Sequence, residues 1–249
     1  TGVATGNAHS CMIVPGGGVR CQGADNSSGQ LGDGTTTGAP HGTDVLGIGG
    51  ATALAAGFDH SCALLGDRTV RCWGANASGQ LGDGTTDDRP APVEVTGVTG
   101  AVAVSAYGSS SCALIDDGTV RCWGDNSSGQ LGNGTTISTS HPVVVLGVTG
   151  ATALGEGGDH GCAVVAGGSV RCWGENSAGQ LGDGTTVSSP VAVTVQGLTG
   201  ATAVAAGGPH TCALVAGGGV RCWGSNTHGQ LGDASTDPSA VPVTGIGRP

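Results

Sequence analysis

The chain has 249 residues, among them 52 glycines, ten cysteines, eight arginines and no lysine, and a formal net charge of −10. So acidic a surface repels phosphate backbones and anionic bilayers, which argues against nucleic acid as a partner. No apolar run reaches the roughly 18 residues needed to cross a membrane, so membrane insertion is not expected.

The opening segment, "TGVATGNAHSC", has neither a methionine nor a basic-then-apolar leader. An extracellular destination would therefore imply a targeting segment already removed or cut away. Cys11 and Cys21 then flank "PGGG" (15–18), followed by "NSSGQLGDGTT" (26–36) and "TGAPHGTDV" (37–45). The same order returns as "ATALAA" (51–56), Cys62 and Cys72, "NASGQLGDGTT" (76–86) and "PVEV" (92–95). A third copy runs "AVAVSA" (101–106), "SCALI" (111–115), "VRCWG" (120–124), "NSSGQLGNGTT" (126–136) and "PVVVL" (142–146). The fourth holds Cys162, Cys172, "NSAGQLGDGTT" (176–186) and "VAVTV" (191–195), and the fifth Cys212, Cys222, "NTHGQLGDAST" (226–236) and "VPVTGIGRP" (241–249).

The first cysteines of the pairs are spaced by 51, 50, 50 and 50 residues, so one unit occurs five times. Within a unit the runs are short, β-branched, of period two, and bounded by Gly, Pro, Asn and Asp, which marks strands. No window carries a helical stripe. Four strands per unit predict an all-β, five-bladed β-propeller of four-stranded antiparallel blades, filling one domain over 1–249.

Pairing Cys112 with Cys122 leaves Ile115 opposite Thr119 around the three-residue loop Asp116-Asp117-Gly118. That is a type I turn closed by a left-handed residue, which glycine adopts without strain. Gly17, Gly168 and Gly218 fill the same slot, whereas Arg68 should be mildly strained. Alternation of the ladder puts each cysteine pair at a non-hydrogen-bonded position, with Cα atoms about 4.5 Å apart, within disulfide range. The predicted bridges are Cys11–Cys21, Cys62–Cys72, Cys112–Cys122, Cys162–Cys172 and Cys212–Cys222. Zinc ligands would instead lie two to four residues apart and converge on one point. Each bridge closes an 11-residue loop, worth roughly 2–3 kcal/mol in the chain-entropy model. Disulfides persist in oxidising compartments, so the protein is expected to be secreted or at the cell surface.

The ends of the chain suggest how the ring closes. "VPVTGIGRP" aligns with "VEVTGVTGA" (93–101), which leaves Thr1 aligned with Val102. Residues 241–246 are therefore expected to complete the first blade and remove its open edge. The competing arrangement is an open array.

The string running from His60 through "SCAL", "TVRCWG" and "GQLG" resembles the regulator-of-chromosome-condensation repeat. His60, Ala63, Leu64, Val70, Trp73, Gly74, Asn76, Gly79, Gln80, Leu81 and Gly82 carry the likeness, with their counterparts in the other copies. The resemblance implies a propeller used as a binding platform. It departs from the family in having five blades where seven are usual, in being acidic and lysine-free, and in bearing a cysteine pair in each blade. The exchange-factor activity of the nuclear founder and the β-lactamase inhibition of a secreted bacterial relative are not carried over.

His9, His60, His160 and His210 form a column, with Ser110 in the third copy. A metal site is weighed against imidazoles satisfying backbone groups within their own blades, and the serine favours the latter. Arg20, Arg71, Arg121, Arg171 and Arg221 form another column, read as packed within each blade and able to stack on the Trp two residues on, rather than as an anion ring. Gln22 replaces that Trp in the first copy, which should loosen it. "LGDGTT" has too few oxygen ligands for calcium, and its Asn and Gln residues should tie down the turn. Asn26, Asn76, Asn126 and Asn133 lie in glycosylation sequons.

No nucleophile or acid–base pair stands outside the repeat, so neither enzyme activity, nor a metal, nor a cofactor is expected. Copies differ most after "GDGTT", where recognition would sit on a constant frame. The candidate partner-binding residues there are Thr37, His41, Asp87, Asp88, Arg89, Ile137, His141, Val187 and Asp237. The expected function is a secreted module binding protein or glycan through a propeller face. The alternative is a structural subunit that assembles with copies of itself into an extracellular filament or surface layer.

Overall fold

A computed structural model describes residues 2–244, and among these there is no helix. Twenty strands form five separate four-stranded antiparallel sheets. The first is β1 (Val3–Thr5), β2 (His9–Ile13), β3 (Val19–Gly23) and β4 (Ala39–Asp44); the second is β5 (Ala51–Ala56), β6 (His60–Leu65), β7 (Val70–Gly74) and β8 (Arg89–Glu94). The third comprises β9 (Ala101–Tyr107), β10 (Ser110–Ile115), β11 (Val120–Gly124) and β12 (Thr139–Val144). The fourth is β13 (Ala151–Gly157), β14 (His160–Val165), β15 (Ser169–Gly174) and β16 (Ser189–Thr194), and the fifth β17 (Ala201–Ala206), β18 (His210–Val215), β19 (Val220–Gly224) and β20 (Ser239–Thr244).

Contacts divide the chain into two compact units. One comprises Thr1–Asp117, Arg121–Asn126 and Ser138–Val143; the other comprises Gly118–Val120, Ser127–Ile137 and Val144–Pro249.

Each sheet takes its strands in chain order, which corrects the expected seam. Strand β20 pairs with β19, with Cys222 opposite Val243, and is the fourth strand of the fifth blade. The first blade draws all four of its strands from residues 3–44, with β1 at its edge. Residues 245 and 246 of the expected closing strand lie outside the described residues. The alignment misled because β4, the first blade's own fourth strand, reads APHGTD and lacks the valines that mark β8, β12 and β16.

The fourth strands also begin earlier than their valine runs suggest. Past a register shift, Arg89 stands opposite Gly74 and Ser189 opposite Gly174. Arg89 and Ser189, the first residues of β8 and β16, therefore belong to the ladder.

The hairpin register is as expected. Cys11 faces Cys21, Cys62 faces Cys72, Cys162 faces Cys172 and Cys212 faces Cys222. All five bridges are present, with Cα separations of 4.0–4.1 Å. The loop-flanking pair is hydrogen-bonded, Leu65 N–H donating to the Thr69 carbonyl at 3.0 Å, so three steps on the cysteines fall at a closely spaced position. Arg68 does occupy the left-handed region, with φ 66°, where Gly17, Gly118, Gly168 and Gly218 have φ from 76° to 85°.

Blades pack face to face. In the first unit, Cys11, Val19, Cys21 and Leu31 pack against Ala63, Leu65 and Trp73. Cys62, Leu64, Val70 and Cys72 likewise meet Ala113, Ile115 and Trp123. In the second unit, Cys162, Val164, Val170 and Cys172 meet Ala213 and Trp223. The disulfide thus does double duty: it staples a hairpin and supplies apolar surface to the next blade.

Candidate binding surfaces

Two kinds of position matter in each repeat: those that lock blade to blade and those left exposed. The lock is a hydrogen-bond relay. Trp73, Trp123, Trp173 and Trp223 donate their indole N–H to the carbonyls of Gln30, Gln80, Gln130 and Gln180 at 2.8–3.0 Å. The hydroxyls of Ser61, Ser111 and Thr211 donate to the Gln30, Gln80 and Gln180 carbonyls. Since those hydroxyl protons are committed, the hydroxyl oxygens accept from imidazole Nε2–H. His9 reaches Ser61 at 2.7 Å, His60 reaches Ser111 at 2.8 Å and His160 reaches Thr211 at 2.7 Å.

The histidines therefore bridge adjacent blades, not groups within their own blade as the sequence reading held. Their Nδ1 atoms are buried and unpartnered. Burial pushes the proton affinity of His60 down to about pKa 3 and that of His160 to about 4, so both rings are neutral at physiological pH.

The expected arginine–indole stack is not found among the described residues; the indoles point into the relay instead. Arg20 spans to the Gly42 carbonyl at 3.1 Å and to Asp44 at 3.8 Å. The tract after each hairpin is tied by its asparagine, as the sequence implied. Asn26 Oδ1 accepts from Leu31 N–H at 2.9 Å, and its Nδ2 donates to the carbonyls of Thr35 and Thr37 at 3.0 Å. Gln30 Oε1 accepts from Ser28 N–H. Buried in this role, Asn26, Asn76 and Asn126 offer no access for glycosylation, while Asn133 is part-exposed.

The nine candidate partner-binding residues differ in exposure and in whether their side chains are tied to the frame. Thr37, His41, Asp87, Ile137, His141, Val187 and Asp237 are exposed, Ile137 by 74% and Val187 by 71%. Asp88 is exposed as well but accepts from Asn76 N–H at 2.8 Å. Arg89 is half-buried and donates to Asp83 at 2.9 Å and to Thr85. Partial burial pushes the Asp83 carboxyl up, but hydrogen bonds from Thr85 and Arg89 outweigh it and hold it below the usual range. Further exposed aliphatics, Leu46, Val144, Leu146, Val191 and Val241, lie on or beside the fourth strands.

The sequence reading missed Glu156, which is buried at a position that is alanine at 56, 106 and 206. Burial pushes its carboxyl well above the usual range. The one signal was an acid inside a period-two strand.

Repeated four-stranded blades, each stapled by a disulfide and bolted to the next by tryptophan, define the building unit of a β-propeller. Three stretches, 51–80, 101–130 and 201–230, match one pattern of the regulator of chromosome condensation (RCC1) repeat, and 69–115, 117–164 and 167–214 match a second. The chain belongs to the RCC1-repeat family. Human WBSCR16 resembles it with a TM-score of 0.87 and 26% identity, over 98% of this chain and 66% of that one. Yeast RCC1 (Prp20), in complex with Kap60, gives 0.82 and 19% over 96% of this chain and 59% of that one. The ectodomain of the Physcomitrella patens receptor kinase CR4 gives 0.56 and 22% over 91% and 53%. The chain thus spans less than two thirds of each of these structures. No curated protein sequence matches it.

Proposed function

We propose that this chain is a non-catalytic, extracellular module that binds a protein through the exposed tracts following each blade hairpin. The observation that carries this is the contrast within each repeat. The frame is nearly invariant and buried, while the adjoining tract changes from copy to copy and presents Ile137 and Val187 to solvent. Variable exposed segments on a rigid frame are where recognition usually sits. Structures of the same fold support the reading, since yeast RCC1 is seen bound to Kap60 and the CR4 domain is a receptor ectodomain. Five disulfides without a free cysteine among the described residues favour an oxidising compartment.

The test compares wild type with an Ile137→Asp/Val187→Asp variant as bait in the extracellular fraction of the native source. A protein retained by wild type and lost by a variant of unchanged melting temperature supports the reading. Identical retention by both overturns it.

A second reading, assembly with copies of itself, is favoured by a different observation. Met12 is 49% exposed on the first blade, where its counterparts Ala63 and Ala113 are fully buried against a neighbouring blade. Leu214 is 43% exposed on the opposite face of the fifth blade, where Leu64, Leu114 and Val164 are buried. These two free faces are the two halves of the internal blade interface, so a second copy would add head to tail. Met12→Asp and Leu214→Asp should each abolish concentration-dependent association in light scattering, and mixing them should give a dimer and nothing larger. A wild type that stays monomeric at all concentrations rules this reading out.

A further inference from the structure

The protein has one phenylalanine and one tyrosine, and they lie side by side. Phe58 and Tyr107 have ring centroids 5.5 Å apart, at an interplanar angle of 58°. Phe58 sits at the bend between β5 and β6, and Tyr107 at the one between β9 and β10. Both belong to the first compact unit.

The sequence had to change twice to allow this. The position of Tyr107 is glycine in every other copy: Gly6, Gly57, Gly157 and Gly207. A Cβ at Gly6, Gly57 or Gly207 would overlap the imidazole of His9, His60 or His210 in the same blade. The third copy alone replaces that histidine, with Ser110, whose hydroxyl donates to the Tyr107 carbonyl at 3.3 Å. Losing the imidazole opens the space in which the residue at 107 carries a side chain. Tyrosine fills it beside Phe58, whose own position holds Asn7, Gly108, Gly158 and Gly208 in the other copies.

The setting is rigid. Asn7 N–H donates to the Phe58 carbonyl at 3.0 Å, and Phe58 N–H donates to the Gly108 carbonyl at 2.9 Å, so three bends are strung together by backbone. Beside the rings is a hollow of about 150 Å³ lined by Thr5, Asn7, Ala56, Phe58, Tyr107 and Gly108 among others. Phe58 stays 49% exposed, although burial would stabilise so large an apolar ring.

We propose that the Phe58–Tyr107 hollow is a binding site for a cationic side chain, an arginine or lysine, presented by a protein partner. Its size admits one side chain. Aromatic faces attract a desolvating cation, and the chain around them carries a net charge of −10. The negative field is local as well: burial lowers the proton affinity of nearby His9, and the Asp59 and Asp25 carboxylates offset part of that effect. Asn7 and Thr5 at the rim supply polar groups that would orient a guanidinium. The site rests on the reading of this protein as a protein-binding module, but it is distinct from the exposed tracts.

Nuclear magnetic resonance titration with the capped tripeptide Gly-Arg-Gly tests it. Perturbations should centre on residues 5–7, 56–58 and 107–108 and weaken with added salt. They should fall at least tenfold in apparent affinity in Phe58→Ala, whose exposed site leaves folding intact by melting temperature. Gly-Glu-Gly and methyl glucoside should give none. Methyl glucoside binding in place of the peptide, or no perturbation at these residues, would each overturn the assignment. Partner retention through Ile137 and Val187 is read separately, so loss of one result leaves the other standing.

Discussion

The first and second blades share a hairpin, a disulfide and a turn, and differ in what their outer faces meet. In the second, Ser61, Ala63 and Trp73 are buried against the first blade and its trailing tract. In the first, Ser10, Met12 and Gln22 hold the corresponding positions; Ser10 is half-buried and the other two are exposed. The hairpin code is therefore local, written in the cysteine pair and the loop glycine. The stacking code belongs to a separate set of residues, the alanine and the indole, and can be dropped without losing the blade. Removing the indole is the sharpest way to test that separation. Trp73→Ala should cost about 3–5 kcal/mol, because it empties a buried ring site and leaves the Gln30 carbonyl with only the longer Ser61 bond. Gln22→Ala should change stability by less than about 0.5 kcal/mol. Comparable losses in urea melts would show that the two faces are energetically alike.

The disulfides predict the opposite result, equality. Replacing Cys11 and Cys21 by alanine, or Cys62 and Cys72, opens loops with the same sequence separation of 10. Each pair should lose about 2–3 kcal/mol if the effect lies in the unfolded chain. A much smaller loss in the first blade would locate the effect in packing against the neighbouring blade instead.

How much of this was legible beforehand follows the same division. The cysteine pairing, the three-residue loop and the strain at Arg68 are local, and spacing alone gave them. What sequence did not show was which residues meet across blades. The histidines were assigned to their own blades because no spacing rule links His9 to Ser61, 52 positions on. The final strand was assigned to the first blade because alignment compares strings, whereas pairing depends on which edge is near. The coupled exchange at Tyr107 and Ser110 stood in the alignment of the copies, but its reason, a ring in the way of a Cβ, is steric.

A pH series separates the buried from the half-buried members of the histidine column. The folded pKa of His60 is depressed, so between pH 6.5 and about 3 the unfolded state binds the extra proton. Stability from this group is complete above pH 6.5 and is lost as pH falls, by up to about 1.4 kcal/mol per unit. His210 is shifted the same way by a shallower burial. Between pH 7 and 5, above the carboxylate range, His60→Gln should flatten the slope more than His210→Gln. Equal flattening would mean that the buried ring is no better shielded than the half-buried one.

The smallest effect concerns two left-handed residues in equivalent strain but different company. Ala234 has φ 66° where the other copies place Gly34, Gly84, Gly134 and Gly184. An L-residue there is disfavoured by about 1–2 kcal/mol, while glycine gives the unfolded chain roughly 0.5–1 kcal/mol of extra entropy. Ala234→Gly should therefore stabilise by about 0.5–1 kcal/mol, a rise of roughly 1–4 °C in melting temperature for a chain of this size. Arg68, also at φ 66°, has the same backbone reason to be replaced. Its guanidinium, however, meets Asp116 at 2.8 Å across an exposed pair, which is worth up to about 1 kcal/mol. The Arg68→Gly gain is offset by that lost pair, and its melting temperature should stay within about 1 °C of wild type. If both substitutions raise it equally, the ion pair contributes nothing; if neither does, the left-handed positions are not strained.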